Sequence, residues 1–340
     1  MAKSFKSLLG DDIKNTRTLL HEAIPITGSI VSGTYSDDNI KTFSHGMYES
    51  VYDYPYLSSS ANHIFDLSYG CSTRVSSSTN TQNAKKMNMY NQMAQVLFGY
   101  DLSGSIRKFD SDGSLDDDGA GTMDHCFFIN FSRLLCKDEI KKNTFRLGLE
   151  TAGTVASPGT LLTLGDYDAG NEFRTSPAGD YGLIFKTSGD ASDNTNSVGL
   201  LFYQAGVAVL TSSIFTGEFG PTTDPRPSAA TAQTGTTIQQ LADGFRNRFH
   251  DLDLNNTIEL NSAIYFCRVN HNEFNYSSNP TYLSGSKLVI KNQSTDLPVT
   301  YITTIGLYSP DNELMAVAKL SEPIRKDPNT ELTLRVRLDY

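Results

Sequence analysis

Near the end of the chain, Leu332, Leu334, Val336, Leu338 and Tyr340 alternate with Thr333, Arg335, Arg337 and Asp339. A period of two places one set on each face of a strand, so this stretch predicts a strand tied into a sheet. "SKLVIK", "TYITTIGLYS" and "ELMAVAKLS" upstream read the same way, and "SPDN" joins the last two with Pro310 suited to a turn. In the middle of the chain "YGLIFKT", "SVGLLFYQ" and "GVAVLTSS" read as strands. "LLFYQAGVAVL" predicts a hairpin with "QAG" at its tip, and polar clusters such as "SGDASDN" its loops. "CFFINF" puts Phe127, Ile129 and Phe131 on one side, and "TFRLGLE" alternates Phe145, Leu147 and Leu149 against Arg146 and Gly148. The charged "KDEIKK" lies between these two runs. It predicts a corner or one helical turn joining half-buried strands, its charges solvated or paired across a subunit boundary.

Three segments show helical spacing instead. Phe5, Leu8, Leu9, Ile13, Leu19, Leu20 and Ile24 fit one face of an N-terminal helix, which Pro25 would end. In "NTQNAKKMNMYNQMAQVLFGYD", Ala84, Met87, Tyr90, Asn91, Ala94, Leu97 and Phe98 trace a face, with Gly99 as C-cap. Ile238, Leu241, Ala242, Phe245 and Phe249 trace another. The expected fold class is therefore α+β and mainly β: antiparallel β-rich domains with a few helices and long polar loops. The expected segments are an N-terminal arm (1–44), a mixed α/β part of the core (45–150) and a β-rich insertion (151–217). A linker or long loop (218–237) and a helix with a C-terminal β-sheet region (238–340) follow.

Composition narrows the chemistry. The chain has 340 residues and a formal net charge of −10, which opposes non-specific nucleic-acid binding; no nucleic-acid partner is expected. Its apolar runs are too short for a membrane span, and the N-terminus lacks the apolar core of a secretory signal. Cys71, Cys126, Cys136 and Cys267 lack C-x-x-C spacing and read as buried free thiols of a reducing compartment. Asp110, Asp112, Asp116, Asp117 and Asp118 crowd one loop, but Gly113 and His125 do not fit a calcium loop. The six histidines are scattered, and "NHNE" lacks the P-C-x-x-C that a zinc deaminase requires. No G-x-S-x-G elbow and no phosphate loop is present. No catalytic residue, cofactor or metal site is expected.

Contact surface is the remaining chemistry. Tyr52, Tyr54 and Tyr56 would share one side of an extended chain broken at Pro55. They suit a subunit contact or core edge, or alternatively stacking on a glycan. Phe274, Tyr276, Tyr282 and Leu283 in "NEFNYSSNPTYL" are anchors of the kind enriched at interfaces.

Five stretches, "HGMYESVYDYPYLSSSANHIFDLSYG", "FINFSRLLCKDEIKKNTFRLGLE", "VGLLFYQAGVAVLTSSIF", "NHNEFNYSSNPTYL" and "TYITTIGLYSPDNELMAVAKLSEPI", extend over about 45 to 325. In their shared order they resemble virion structural proteins of large contractile-tailed bacteriophages, the cyanophage-like myoviruses especially. The resemblance implies a multicopy tail, baseplate or neck component without enzymatic role, located in the virion after assembly in the host cytoplasm. Its partners would be other virion proteins and further copies of itself, a homo-oligomer. The alternative is a glycan- or receptor-binding protein associated with a tail fibre or spike. The resemblance carries no site residues onto this chain.

Overall fold

The computed structural model describes residues 5–26, 37–74, 81–113, 121–150, 153–154, 157–158, 161–186, 197–215, 236–246, 248–277, 279–291 and 293–340. The fold is mainly β with antiparallel ladders, and three α-helices occur among the described residues. The first strands are β1 (Ile13–Ile26), β2 (Ile40–Thr42), β3 (Glu49–Tyr52), β4 (His63–Cys71) and β5 (His125–Phe131). Next come β6 (Glu139–Ile140), β7 (Arg146–Glu150), β8 (Gly153–Thr154), β9 (Ser157–Pro158) and β10 (Leu161–Gly165). β11 (Arg174–Ser176), β12 (Gly179–Lys186), β13 (Ser197–Phe202), β14 (Val207–Thr211) and β15 (Phe249–Val269) follow. The last are β16 (Leu283–Ser284), β17 (Lys287–Leu288), β18 (Thr300–Tyr308), β19 (Leu314–Lys326) and β20 (Leu332–Asp339). The helices are α1 (Thr81–Leu97), α2 (Arg133–Cys136) and α3 (Ile238–Arg246).

The chain divides into two compact units: a core unit, Leu20–Ile258, and a terminal unit, Met1–Leu19 with Glu259–Tyr340. In the core unit the strand order is β15-β7-β10-β12-β13-β14-β5-β4-β3-β2. The stretch read as an insertion, 151–217, thus supplies the centre of this sheet through β10, β12, β13 and β14. The expected hairpin is present: Phe202 pairs with Val207, and Gly206 takes φ +67° in the turn, where a glycine costs least.

Both faces of the sheet are buried. Phe127, Ile129, Leu201, Ala208 and Leu210 join Ile238, Leu241, Ala242 and Phe245 of α3 in one cluster. Cys126, Phe128, Leu200, Phe202 and Val209 join Tyr90, Ala94 and Leu97 of α1 in the other. Successive strand residues point to opposite faces, so a sheet covered twice matches the continuous apolar run Cys126, Phe127, Phe128, Ile129 rather than an alternating one. The half-buried reading of this strand is corrected accordingly.

Helix α1 approaches closely at Gly70 of β4. A Cβ there would lie 2.7 Å from the Tyr90 nitrogen and 3.0 Å from the Lys86 carbonyl oxygen. Gly99, at φ +75°, ends the helix by donating to the Ala94 carbonyl, as its C-cap position predicts.

In the terminal unit, residues Ser262–Val269 of β15 pair antiparallel with β20, and β18 pairs with β19 in a two-stranded ribbon. Asn312, at φ +64°, sits in the expected turn between them. The predicted N-terminal helix is instead strand β1, next to β15 in the strand order. Ile13, Thr16 and Thr18 are β-branched, and a partner strand outweighs weak helical spacing. Pro25 is tolerated because among the described residues β1 has one neighbour, β15, and stands at an edge.

Candidate functional site

The corner between β5 and β7 is built from the helical turn α2, Lys137 at φ +55° and the short strand β6. Ile140 is fully buried because β6 pairs with Asn256 and Thr257 of β15. Two of the corner's charges are held within the chain, which corrects their reading as solvated or intersubunit. Lys142 Nζ lies 2.7 Å from Asp180 Oδ2 and 3.8 Å from the centre of the Phe173 ring. Glu139 accepts from Gln204 Nε2 at 3.1 Å.

Behind the corner stands Asp166, fully buried. Its Oδ2 accepts from the Asn143 N–H at 2.8 Å and the Tyr203 hydroxyl at 3.1 Å. Its Oδ1 accepts from the Phe145 N–H at 3.0 Å and Arg146 Nη1 at 3.2 Å. Burial pushes the carboxyl up to about 6, and the four donors hold it from rising further. Arg146 in turn stacks 3.9 Å above Tyr167. Both oxygens of Asp166 are engaged by groups that the fold needs, so the arrangement pins the start of β7 to the end of β10.

A second buried polar cluster gathers where β4, β5 and α1 meet. The Tyr69 hydroxyl and His125 Nδ1 are 2.7 Å apart, and Lys86 lies fully buried 6.0 Å from the Tyr69 ring centre. Burial lowers the imidazole and the ammonium and raises the Cys71 thiol. Burial likewise lifts Cys126 well above its usual value and Cys136 to about 12, and raises Cys267. All four sulfurs are free thiols held in the neutral form, the weaker nucleophile. Among the described residues no group of three or more metal-ligating side chains converges. Asp116, Asp117 and Asp118 of the expected acidic loop lie outside the described residues.

The tyrosines singled out by sequence separate. The Tyr52 and Tyr56 rings are 6.4 Å apart and Tyr52 is 5.5 Å from His63, whereas Tyr54 stands in a bend and is exposed. The chain turns after β3, so the three do not share one extended face. Tyr56 instead walls a cleft of about 410 Å³ with Pro55, Leu57, Asp243 and Arg246. Arg246 is buried and lies 2.7 Å from Asp243 Oδ1.

In the terminal unit, Phe274 is half-buried at φ +56°, and its carbonyl accepts from Thr300 Oγ1 at 2.7 Å. Tyr276 and Tyr282 are half-buried and Leu283 is exposed. Lys326, fully buried, donates to Asn275 Oδ1 at 2.6 Å and to the His271 carbonyl at 3.0 Å, tying this loop to the base of the β18–β19 ribbon.

The larger exposed apolar surface is one that sequence reasoning misses. Among the described residues the terminal unit buries three apolar side chains of the core class, Ala263, Val269 and Val336. It exposes fifteen of the twenty-four large hydrophobic residues that stand exposed among the described residues. On the ribbon these include Tyr301 (55%), Tyr308 (58%), Leu314 (53%), Met315 (70%) and Val317 (53%). A two-stranded ribbon is marginal alone in water, and exposed apolar side chains on one make it a candidate contact surface. No helix among the described residues is long and apolar enough to cross a membrane.

No family model, no curated protein and no solved structure matches this chain.

Proposed function

We propose that the chain is a non-enzymatic structural subunit of a phage virion, a tail baseplate or neck component that assembles in multiple copies. The observation that carries the assembly role is the terminal unit, with its wide apolar surface and almost no core of its own. The resemblance to contractile-tailed phage virion proteins supplies the setting. The inertness of the buried groups agrees with it: neutral thiols and a fully engaged Asp166 serve packing. The test is to purify the particle, strip it into sub-assemblies and locate the chain by mass spectrometry. Recovery in fixed stoichiometry with tail tips or with the head–tail joint supports the reading and chooses between baseplate and neck. Absence from every particle fraction rejects it.

The cleft beside Tyr56 supports a second reading, a glycan- or receptor-binding tail protein. An aromatic wall with a buried arginine and carboxylates can stack on and hydrogen-bond a sugar. Binding to host surface polysaccharide that disappears in Tyr56→Ala would favour it. Unchanged binding in that variant, or none in the wild type, would remove it.

A further inference from the structure

Lys326 ends β19 and is fully buried. Its Nζ donates to three oxygens: Asn275 Oδ1 at 2.6 Å, the Asp327 carbonyl at 2.7 Å and the His271 carbonyl at 3.0 Å. All three belong to uncharged amides. Among the described residues no carboxylate forms an ion pair with Lys326. A buried ammonium without a counter-ion is costly, and the cost falls when the group gives up its charge. Burial accordingly lowers the Lys326 pKa, against the opposing fields of Asp327, Glu273 and Glu331. A lysine amine freed of its charge by burial is a nucleophile.

The amide beside it is held from several sides. Thr300 is the ladder partner of Lys326, and its hydroxyl donates at 2.7 Å to the carbonyl of Phe274, the residue before Asn275. Phe274 takes φ +56°, a conformation that a non-glycine residue keeps only where its surroundings fix it. Asn275 Nδ2 donates at 2.8 Å to the His271 carbonyl, the same oxygen that accepts from Lys326. Amine and amide are thus fixed side by side. Oδ1 is one bond from Cγ, so the amine stands next to the carbon that a nucleophile would attack.

We propose that Lys326 and Asn275 join in an intramolecular isopeptide bond. Nζ attacks Cγ, a proton passes from Nζ to Nδ2, the Cγ–Nδ2 bond breaks, and ammonia leaves. Nothing is oxidised or reduced, and no co-reactant is consumed. Glu273, buried two residues before Asn275 and held at Oε2 by Lys6 at 2.6 Å, is the carboxylate of this loop that can carry the proton between the nitrogens. The product replaces a buried charge by a neutral amide. It ties together residues 51 apart in sequence, in a unit that buries few apolar side chains among the described residues. Such a cross-link restricts the unfolded chain as a disulfide does. This inference goes beyond the assembly role and does not depend on it.

The test is denaturing intact-mass spectrometry of the full chain, followed by tryptic peptide mapping, for wild type, Lys326→Arg and Asn275→Ala. Wild type is expected to be lighter than its sequence requires by one ammonia. Its digest should contain one branched peptide joining Lys326 to Asn275, with no cleavage after Lys326. Each variant is expected at the full mass of its own sequence. A wild type of full mass that is cleaved after Lys326 would overturn the inference, and that result does not depend on whether the variants fold. An ammonia loss that persists in Lys326→Arg would also overturn it, because it would place the loss in an asparagine that cyclises on its own backbone.

Discussion

The two units solve the same problem in opposite ways. The core unit has a sheet with both faces covered, by α1 on one side and α3 on the other, and its buried side chains form two clusters. The terminal unit is also built from strands rich in apolar residues, yet among the described residues fifteen of its large apolar side chains are exposed and most of the others are no more than half-buried. Strand propensity alone does not make a core: a strand needs neighbours and a second layer, and among the described residues the β18–β19 ribbon of the terminal unit has no third strand. In the multicopy assembly proposed above, neighbouring subunits would cover what this unit leaves exposed.

Substitution should separate the units sharply. Phe127→Ala removes a fully buried ring packed 5.0 Å from both Tyr69 and Phe245, and should cost about 3–5 kcal/mol in urea unfolding. Tyr308→Ala, in the ribbon, should cost the dilute monomer less than about 1 kcal/mol and act on assembly instead. Equal costs at the two sites would erase the contrast.

Asp166 gives a pH test of the core unit. Its proton is held more tightly in the folded state, at about 6, than in the unfolded chain. A raised acid stabilises the fold at low pH, and that contribution is lost as pH rises through about 4 to 6. Relative to Asp166→Asn, wild-type stability should fall across this window by up to about 3 kcal/mol in denaturant titrations. A rise across the window would mean that the four donors outweigh burial.

Gly70→Ala should cost about 1–3 kcal/mol, because the new methyl meets backbone atoms of α1 rather than a side chain that can swing away. Thermal unfolding reads this directly, and a neutral result would show that α1 can shift on the sheet. The smallest effect is expected at the corner: Lys142→Met should cost about 1 kcal/mol, since the Asp180 pair is partly exposed. A much larger loss in a double-mutant cycle with Asp180→Ala would make the corner a second structural centre.

Much of this architecture can be read from periodicity. Helix α1, helix α3 as far as Arg246, the "QAG" hairpin and strands β12, β13, β14, β18, β19 and β20 lie where the pattern of two or of three and four places them, whereas Phe249, read on the α3 face, begins β15 instead. Strand β15 escapes that pattern, although Leu252 and Leu254 alternate with Asp251 and Asp253 at its start. Its Asp and Asn content resembles a loop, and ladders to β7 and β20 decide the matter from far away in sequence. Strand β1 has apolar spacing compatible with a helix, and again a distant partner settles it. The candidate contact surface is legible only in part. Phe274 and Tyr276 stand out as aromatics, but the exposure of Met315 and Val317 depends on which strands fail to find a second layer, a property of topology and not of local pattern.

If the terminal unit is completed by association whereas the core unit is complete in itself, the two should respond differently to dilution. Amide hydrogen exchange followed as a function of protein concentration measures this. Protection in β18, β19 and β20 should rise with concentration, while β4, β5, β13 and β14 stay equally protected at every dilution. Protection in the ribbon that is high and independent of concentration would contradict completion by association, because it would show that the terminal unit needs no second copy.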